Sequence, residues 1–267
     1  MVDGVRGYLF IAAMWMRSTL TYRTSFVLLT LAQLVTSGLD FVVIAVMFAH
    51  TDTLGGFELG EVAFLYGTSG VALGLADLLV GSAQQVGRRI RDGSLDVLLV
   101  RPVPVFAQVA ADRFALRRLG RLTQTGAALA WSLVLLDVDW TWDRVLLLPW
   151  MLLSGTAIFA GIYVLGAAFQ FWAADAAEVQ NAFTHGGNTL TQFPPHVFAR
   201  DLVRGVTFVV PLAFVNWMPA LHVLDRPDPL GLPAFADFAS PVVAAAVCGV
   251  AALAWRAAVR GYRSTGS

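Results

Sequence analysis

Two aspartates stand inside long apolar stretches of the sequence. Asp40 interrupts Ser25–Ala49, and Asp77 interrupts Glu61–Val86. If these stretches cross a bilayer, each charge costs roughly 2.5–3.5 kcal/mol to insert, so such residues usually face a cavity or a partner. One interpretation is that either carboxylate lines a polar path or binds a cationic group. The alternatives are a hydrogen bond to a neighbouring helix and simple protonation.

Asn181 and His185 are two further polar residues that could line such a path. The imidazole of His185 is neutral near pH 7, and a hydrogen-bonded interior histidine is the alternative interpretation. Patterns for catalysis are missing, since the chain has no GxSxG, GxGD or HExxH motif and its four histidines have no metal-ligand spacing. The sequence therefore predicts that the chain is not an enzyme and has no catalytic, metal-binding or cofactor-binding site of its own.

The composition decides the class of protein. Of 267 residues, 57% are hydrophobic and 13% are charged, whereas a soluble domain has about 25% charged residues. So few charges cannot cover the surface of a soluble globular enzyme, and one cysteine excludes a disulfide-stapled domain. The sequence predicts an all-α membrane protein that forms a single transmembrane domain over residues 1–267.

Apolar windows predict the membrane spans. A span needs about 20 residues to cross roughly 30 Å. Before the first window, residues 1–24 have apolar positions at three- and four-residue steps, which is typical of an amphipathic helix. The predicted spans are Ser25–Ala49, Glu61–Val86, Leu122–Leu136, Val145–Trp172, Val206–Leu224 and Pro241–Val259.

The arginines predict the orientation. All 18 basic residues are Arg, and 16 of them fall on one side of these spans and two on the other. Because arginine is enriched in cytoplasmic segments, both termini are predicted to be cytoplasmic. The lack of lysine also excludes a standard Walker A phosphate loop from this chain, since that loop requires a lysine.

Residues 87–121 form a connection that is rich in arginine, hereafter the Arg-rich loop. Asp92-Gly93 predicts a turn, and Ser94 is a suitable N-cap for a short helix with an apolar face of Leu95, Leu98 and Leu99. Arg101–Pro104 ends that helix, because neither proline can continue it. Phe106–Arg121 is predicted to form a second amphipathic helix. This loop either binds another protein or anchors the chain at anionic lipid.

Four segments resemble the ABC-2 permease family, the membrane subunits of type-2 ATP-binding-cassette exporters. They are IRDGSLDVLLVRPV (Ile90–Val103), DRFALRRLGR (Asp112–Arg121), FPPHVFARDLVRGVTFVVPLAFVNWMPALHVL (Phe193–Leu224) and RPDPLGLP (Arg226–Pro233). The resemblance implies a six-helix permease bundle with an N-terminal amphipathic connecting helix (1–24), a cytoplasmic coupling loop (87–121), membrane spans over 25–86 and 122–259, and outer re-entrant helices.

The same resemblance implies partners and a location. Two copies of a separate ABC ATPase would carry ATP and magnesium, and a second permease, identical or related, would complete the path in a bacterial plasma membrane. The cargo would be a hydrophobic or cationic small molecule, as in multidrug efflux, and nucleic acid is not a partner. The residues implied in ATPase coupling are Arg88, Arg89, Arg91, Asp92, Gly93, Leu95, Asp96, Leu99, Arg101 and Pro102.

Two alternatives stay open from the sequence. By hydropathy the fifth span is residues 206–224, whereas the family architecture places it at about 176–195 and makes 206–224 re-entrant, which changes the arginine ratio to 14 against four. An ion-coupled secondary carrier that uses the intramembrane aspartates is the alternative function, although no inverted repeat is visible. Gly70-x-x-x-Gly74 predicts close helix packing inside one bundle or at a subunit interface.

Overall fold

The protein is built from helices. The computed structural model describes residues 2–112, 114–173 and 176–263, and within these ranges the only extended pairing is a single bridge between Leu54 and Phe57. Residues 1, 113, 174, 175 and 264–267, including Arg113 of the Arg-rich loop and both ends of the predicted domain, lie outside the described residues. In chain order the α-helices are α1 Val2–Thr21, α2 Arg23–Phe48, α3 Leu59–Val80, α4 Val86–Arg91, α5 Ser94–Leu99, α6 Val105–Ala111, α7 Leu119–Leu135, α8 Trp142–Phe169, α9 Ala177–Asn181, α10 Gly187–Thr191, α11 Arg200–Phe208, α12 Trp217–Val223 and α13 Ser240–Gly261.

Four helical segments in the described part of the chain are long and apolar enough to cross a membrane. They are α2, Leu59–Arg91 (which begins with α3), α8 and α13, with mean hydropathies of 1.6 to 2.0. Helix α7 has 17 residues, which reach only about 26 Å at 1.5 Å per residue. A fifth apolar segment is bent by 79° between Arg200–Phe208 and Leu212–Val223. Helices therefore lie where the first, second, fourth and sixth spans are predicted.

Helix α3 is the centre of the bundle and packs between α7 and α8. Its glycines bring α7 close: a Cβ on Gly67 would lie 2.7 Å from the Cα of Leu129, and one on Gly70 would lie 2.4 Å from Cγ2 of Thr125. Gly74 faces Leu122 in the same way, with a Cβ at 3.3 Å from its Cδ1. Small residues permit this approach of two helix backbones. The glycine pattern therefore serves packing within the bundle.

The Arg-rich loop contains three short helices. Helix α4 ends in the predicted turn, where Gly93 has φ of 67°, and α5 follows at once and ends before Arg101–Pro104. The N-cap of α5 is Gly93, so the predicted cap at Ser94 is wrong by one residue. Glycine fits this position because its missing Cβ permits a positive φ.

The second predicted helix of this loop, Phe106–Arg121, is wrong as a single element. Helix α6 ends at Ala111, Asp112 is extended, and a 3₁₀ turn at Leu116–Arg118 leads into α7. The carboxylate of Asp112 forms an ion pair with Arg89 of α4, and such a tertiary contact can override a weak helical pattern. The chain therefore folds back onto α4 instead of running straight into α7.

Helix α1 lies against the middle of the Arg-rich loop and the end of α3. A Cβ on Gly7 would lie 2.6 Å from Cγ1 of Val103, and Gly4 is close to Pro104. The hydroxyl of Tyr8 donates to the carbonyl oxygen of Leu79 at 2.8 Å. A helix forms at the predicted N-terminal place, and these contacts join it to the loop that the sequence singled out.

The segment after α10 begins and ends at one end of the bundle. Gly55 in the α2–α3 connection approaches Val197, and the ring of Phe57 lies 5.3 Å from that of His196. Helices α11 and α12 follow, and the chain then returns to the same end, where Nε of Arg226 lies 2.7 Å from Oε1 of Glu61. The bent pair α11–α12 therefore has both its ends beside the α2–α3 connection.

Candidate functional site

Helix α5 is held by one apolar face. Leu95 is fully buried and Leu98 is 6% exposed, in a cluster with Ile90 of α4 and Trp255 of α13. Leu99, the third leucine of the predicted apolar face, is 39% exposed and lies outside this cluster. A six-residue helix is not stable alone, whereas burying a leucine contributes about 1.5–3 kcal/mol. Packing against α4 and α13 therefore fixes the position of α5.

The other side of α5 is an exposed surface with an apolar centre. Val97 is 53% exposed and Val100 is 83% exposed, and the side chains of Arg91 and Arg101 lie on either side in the sequence. We call this surface, Arg91, Val97, Leu99, Val100 and Arg101, the α5 edge. An apolar patch bordered by arginines is typical of a surface that contacts another protein.

The structure places most of the ten predicted coupling residues at the surface. Arg89 is an exception, because its ion pair with Asp112 ties α4 to the end of α6. Such a residue positions the loop and presents little to a partner. The exposed residues are Arg88, Arg91, Asp92, Leu99, Arg101 and Pro102, the half-buried ones are Arg89, Gly93 and Asp96, and Leu95 is buried.

A buried polar chain connects the start of the Arg-rich loop to α9. The backbone N–H of Gly87 donates to Oε1 of Gln170 at 2.7 Å, and Nε2 of Gln170 donates to Oε1 of Gln180 at 2.7 Å. Both glutamines are almost fully buried, and buried polar groups generally require such partners. These bonds fix α9 relative to the loop. Sequence reasoning missed Gln170, although a polar residue at the end of the long apolar run of α8 was a usable signal.

A polar cavity of about 230 Å³ lies between α2, α3, α7 and residues 177–193. Asp40 of α2, Arg121 of α7 and His185 all line it, and further polar lining comes from Tyr66, Asn188, Thr189 and Gln192. The structure thus brings together two of the four predicted path residues, Asp40 and His185. Arg121 was predicted as part of the Arg-rich loop, and its place beside Asp40 was not foreseen.

The two aspartates have different surroundings. Asp40 is exposed, and within the described residues it has neither a hydrogen bond nor an ion pair. Asp77 lies outside the cavity and contacts Arg118, with 3.1 Å between Oδ2 and Nε, while Nη1 of Arg118 donates to the Asp77 carbonyl at 2.9 Å. Asp77 thus matches the alternative of a bond to a neighbouring element, and of the two aspartates only Asp40 lines the cavity.

A change of helix type presents His185 to the cavity. Residues Ala182–Gly186 form a π-helical turn between α9 and α10, and such turns are frequent at functional sites because they shift the side chains that follow. His185 is half-buried, and its Nδ1 lies 3.2 Å from Oγ1 of Thr184. Asn181 precedes this turn and accepts from Nε2 of Gln84 at 3.3 Å, outside the cavity.

Buried hydrogen bonds hold α10 against α3 and the bent pair. Oγ of Ser69 lies 2.9 Å from Oδ1 of Asn188 and 2.6 Å from Oγ1 of Thr191. Nδ2 of Asn216 donates to the carbonyl oxygens of Leu65 and Thr191, both at 3.0 Å. Hydrogen bonds in a buried network specify one arrangement of the elements that carry them. The cavity wall formed by α10 is therefore a fixed part of the bundle.

Ion pairs close the end of the bundle opposite the Arg-rich loop. Arg226 donates from Nε and Nη2 to the two oxygens of Glu61 at 2.7 and 2.8 Å, and these bonds raise the pKa of the guanidinium further above its usual value. The backbone N–H of Glu58 also donates to Glu61, in a capping box at the start of α3. Nearby, His222 lies between the carboxylates of Asp143 and Asp237, at 3.0 and 3.3 Å.

Comparisons with known proteins agree with this architecture. Among the described residues, no group of three or more His, Cys, Asp or Glu could hold a metal ion. Residues 34–266 match the family model described as ABC-2 family transporter protein. No curated protein and no solved structure matches the chain. The match covers all the apolar helices except the start of α2, and the chain is therefore a multi-pass membrane protein that belongs to the ABC-2 transporter family.

Proposed function

We propose that this chain is the permease subunit of an ATP-driven exporter and that its α5 edge docks on a separate ABC ATPase. The observation that carries the proposal is the contrast between the two sides of α5: Leu95 and Leu98 are buried in the bundle, while Val97 and Val100 are exposed. A rigidly seated helix with an exposed apolar edge can transmit a push from a partner into the bundle. Two ATPase copies, which bind ATP and magnesium, and two permeases complete the exporter.

The proposed topology has six crossings and one re-entrant pair. Residues 176–195 form the fifth crossing, and α11–α12 enter from outside and return. The contacts of His196 with Phe57 and of Arg226 with Glu61 support it, because both ends of the pair lie beside the α2–α3 connection. Both termini and the Arg-rich loop are then cytoplasmic in a bacterial plasma membrane. The free-energy cost of placing Glu178 and its polar neighbours in the membrane is lower where these side chains face the cavity or another helix.

The proposed cargo path includes the polar cavity. Asp40 is the residue for a cationic group of a small hydrophobic or cationic molecule, since its carboxylate has no partner within the described residues and opens on the cavity. His185 on the π turn and the amide of Gln192 supply hydrogen bonds. Asp77 and Asn181 lie outside the path, where Asp77 forms an ion pair with Arg118 and Asn181 accepts a hydrogen bond from Gln84.

Coupling follows from the polar chain between loop and cavity. Closure of the ATPase dimer displaces the α5 edge together with α4, and the bonds from Gly87 through Gln170 to Gln180 carry that displacement into α9. Since α9 continues through the π turn to His185, the wall of the cavity moves with it. The two permeases then alternate between inward-open and outward-open states.

Co-purification tests the proposal. The chain is expressed with its neighbouring gene products, as wild type, as Val100→Glu and as Thr21→Glu, a matched control that adds the same charge at an exposed position of α1. Wild type and Thr21→Glu should retain the ATPase, and Val100→Glu should lose most of it. Equal retention by Val100→Glu would contradict docking at this edge. Transport that continues without any ATPase would instead favour the ion-coupled carrier.

A further inference from the structure

An apolar groove opens between α8 and α13 near the Arg-rich end of the bundle. It has a volume of about 350 Å³, and its lining surface is apolar. Small residues form its sides, Ala160 and Gly161 from α8 and Ala252 from α13, and Phe106 of α6 closes it toward the loop. Because both helices are long and apolar enough to cross a membrane, the acyl chain of a lipid is an occupant that suits this groove.

The floor of the groove is Trp255. Its side chain is packed edge-on against two rings, at 5.4 Å from Phe106 and 5.6 Å from Phe171, and it is 8% exposed. Trp255 also belongs to the cluster that buries Leu95 and Leu98 of α5. Whatever fills the groove therefore packs against the residues that seat α5.

A single charged residue lies at the rim. Arg256 lines the groove, and its side chain is exposed and has no ion pair or hydrogen bond within the described part of the chain. Arg260, one turn further toward the end of α13, is exposed in the same way. Arginine side chains of this kind lay their aliphatic stem along apolar surface and keep the guanidinium at the headgroup level.

We propose that this groove is a binding site for an anionic phospholipid of the leaflet at the Arg-rich end. One acyl chain lies in the groove over Trp255, and the phosphate and its anionic headgroup contact the guanidinium of Arg256. The argument is charge complementarity beside an apolar groove. The guanidinium of Arg256 has no partner within the described residues and lies at the edge of an apolar lining, which suits an anionic headgroup above an acyl chain. The lipid thereby supports Phe106 and the cluster under α5. The site does not depend on the proposed exporter function.

Native mass spectrometry of the purified permease alone tests the site. The protein is extracted from bilayers of phosphatidylglycerol and phosphatidylcholine in equal amounts with identical acyl chains, and the retained lipids are counted. Wild type should retain phosphatidylglycerol about five-fold over phosphatidylcholine, the preference that one arginine near the surface confers. Arg256→Gln should lose this preference, and Arg256→Lys should keep it.

Filling the groove separates the apolar part of the site from the charge. Ala252→Trp should reduce the retention of both lipids, whereas Ala257→Trp, at an exposed position of α13 outside the groove, should behave as wild type. Helical circular dichroism and a single elution peak show that each variant is folded. The proposal is overturned if wild type shows no preference, if Arg256→Gln keeps it, or if Ala252→Trp retains as much lipid as Ala257→Trp.

Discussion

At the scale of single residues, the role of a charged side chain in the bundle depends on whether it has an ion-pair partner. Asp77 and Arg118 form a pair whose side chains are 17% and 14% exposed. The carboxylate of Asp77 also occupies the space over Gly81, where a Cβ would come within 2.9 Å of its carboxyl carbon. Asp40 has no such contact within the described residues. The same type of residue therefore stabilises the structure at one position and is available for binding at the other.

Replacing Asp77 by Asn should destabilise the protein, because it leaves the charge of Arg118 half-buried without its counterion. The expected loss is roughly 2–3 kcal/mol in the free energy of unfolding, below the value for a fully buried pair because both side chains retain some exposure. The measurement is thermal unfolding of the purified protein in detergent, followed by circular dichroism.

Asp40→Asn is the matched control for that experiment. Because Asp40 has no partner within the described residues, this variant should unfold within about 0.5 kcal/mol of wild type, yet export of a cationic cargo should fall. If both variants lost the same stability, Asp40 would have a structural partner. If Asp40→Asn exported normally, the carboxylate would have no part in the path.

The sequence shows that Asp40 and Asp77 are unusual, because both lie within apolar stretches, but it does not distinguish the structural aspartate from the one that lines the cavity. Arg118 follows Asp77 by 41 positions, and the two meet only because the chain folds back between α6 and α7. Arg121 is three residues later, and it turns to the cavity with Asp40. Which arginine meets which aspartate depends on the break after Asp112, and the periodicity of Phe106–Arg121 predicts no such break.

At the scale of elements, the close contact between α3 and α7 depends on glycines, which have no side chain. The backbone of Leu129 lies where a Cβ of Gly67 would be, at 2.7 Å from both its Cα and its N. A backbone cannot rotate away as a side chain can, so any side chain at this position must separate the two helices. Gly126 of α7 differs, because a Cβ there would lie in open space.

Gly67→Ala should therefore destabilise the bundle by at least about 2 kcal/mol, in the upper part of the range for overpacking. Gly126→Ala is the control, and it should stabilise the protein by up to about 1 kcal/mol because alanine favours a helix over glycine. Unfolding in a denaturing detergent series gives both values. A neutral Gly67→Ala would mean that the two helices are not in backbone contact.

Elements follow from sequence to different extents. Long apolar runs predict α2, α3, α8 and α13 well, because a run of this length has to be a helix when it lies in lipid. The π turn at Ala182–Gly186 has no such signal, since it is set by the buried bonds of its neighbours Gln180 and Asn188. The short helix α5 is predicted at the right place because a glycine turn and two prolines bound it.

At the scale of the whole molecule, the segment that follows α8 determines how often the chain crosses the membrane. Hydropathy alone favours residues 206–224, since polar residues such as Glu178 and Asn188 interrupt 176–195. The structure pairs Asn188 with Ser69 inside the bundle, and such a pair lowers the cost of placing both polar groups in lipid. Composition could not reveal this, because the pairing partners lie about 120 positions away in the sequence.

Cysteine labelling tests this topology in intact cells. In a Cys248→Ala background, which removes the only native cysteine, Arg204→Cys, at an exposed position of α11, should react with a membrane-impermeant maleimide added outside. Asp52→Cys in the α2–α3 connection should react likewise, because both ends of the bent pair lie beside that connection. Val100→Cys on the α5 edge should react only after the cells are permeabilised. If Arg204→Cys, like Val100→Cys, reacted only after permeabilisation, residues 206–224 would be the fifth crossing and the re-entrant pair would be rejected.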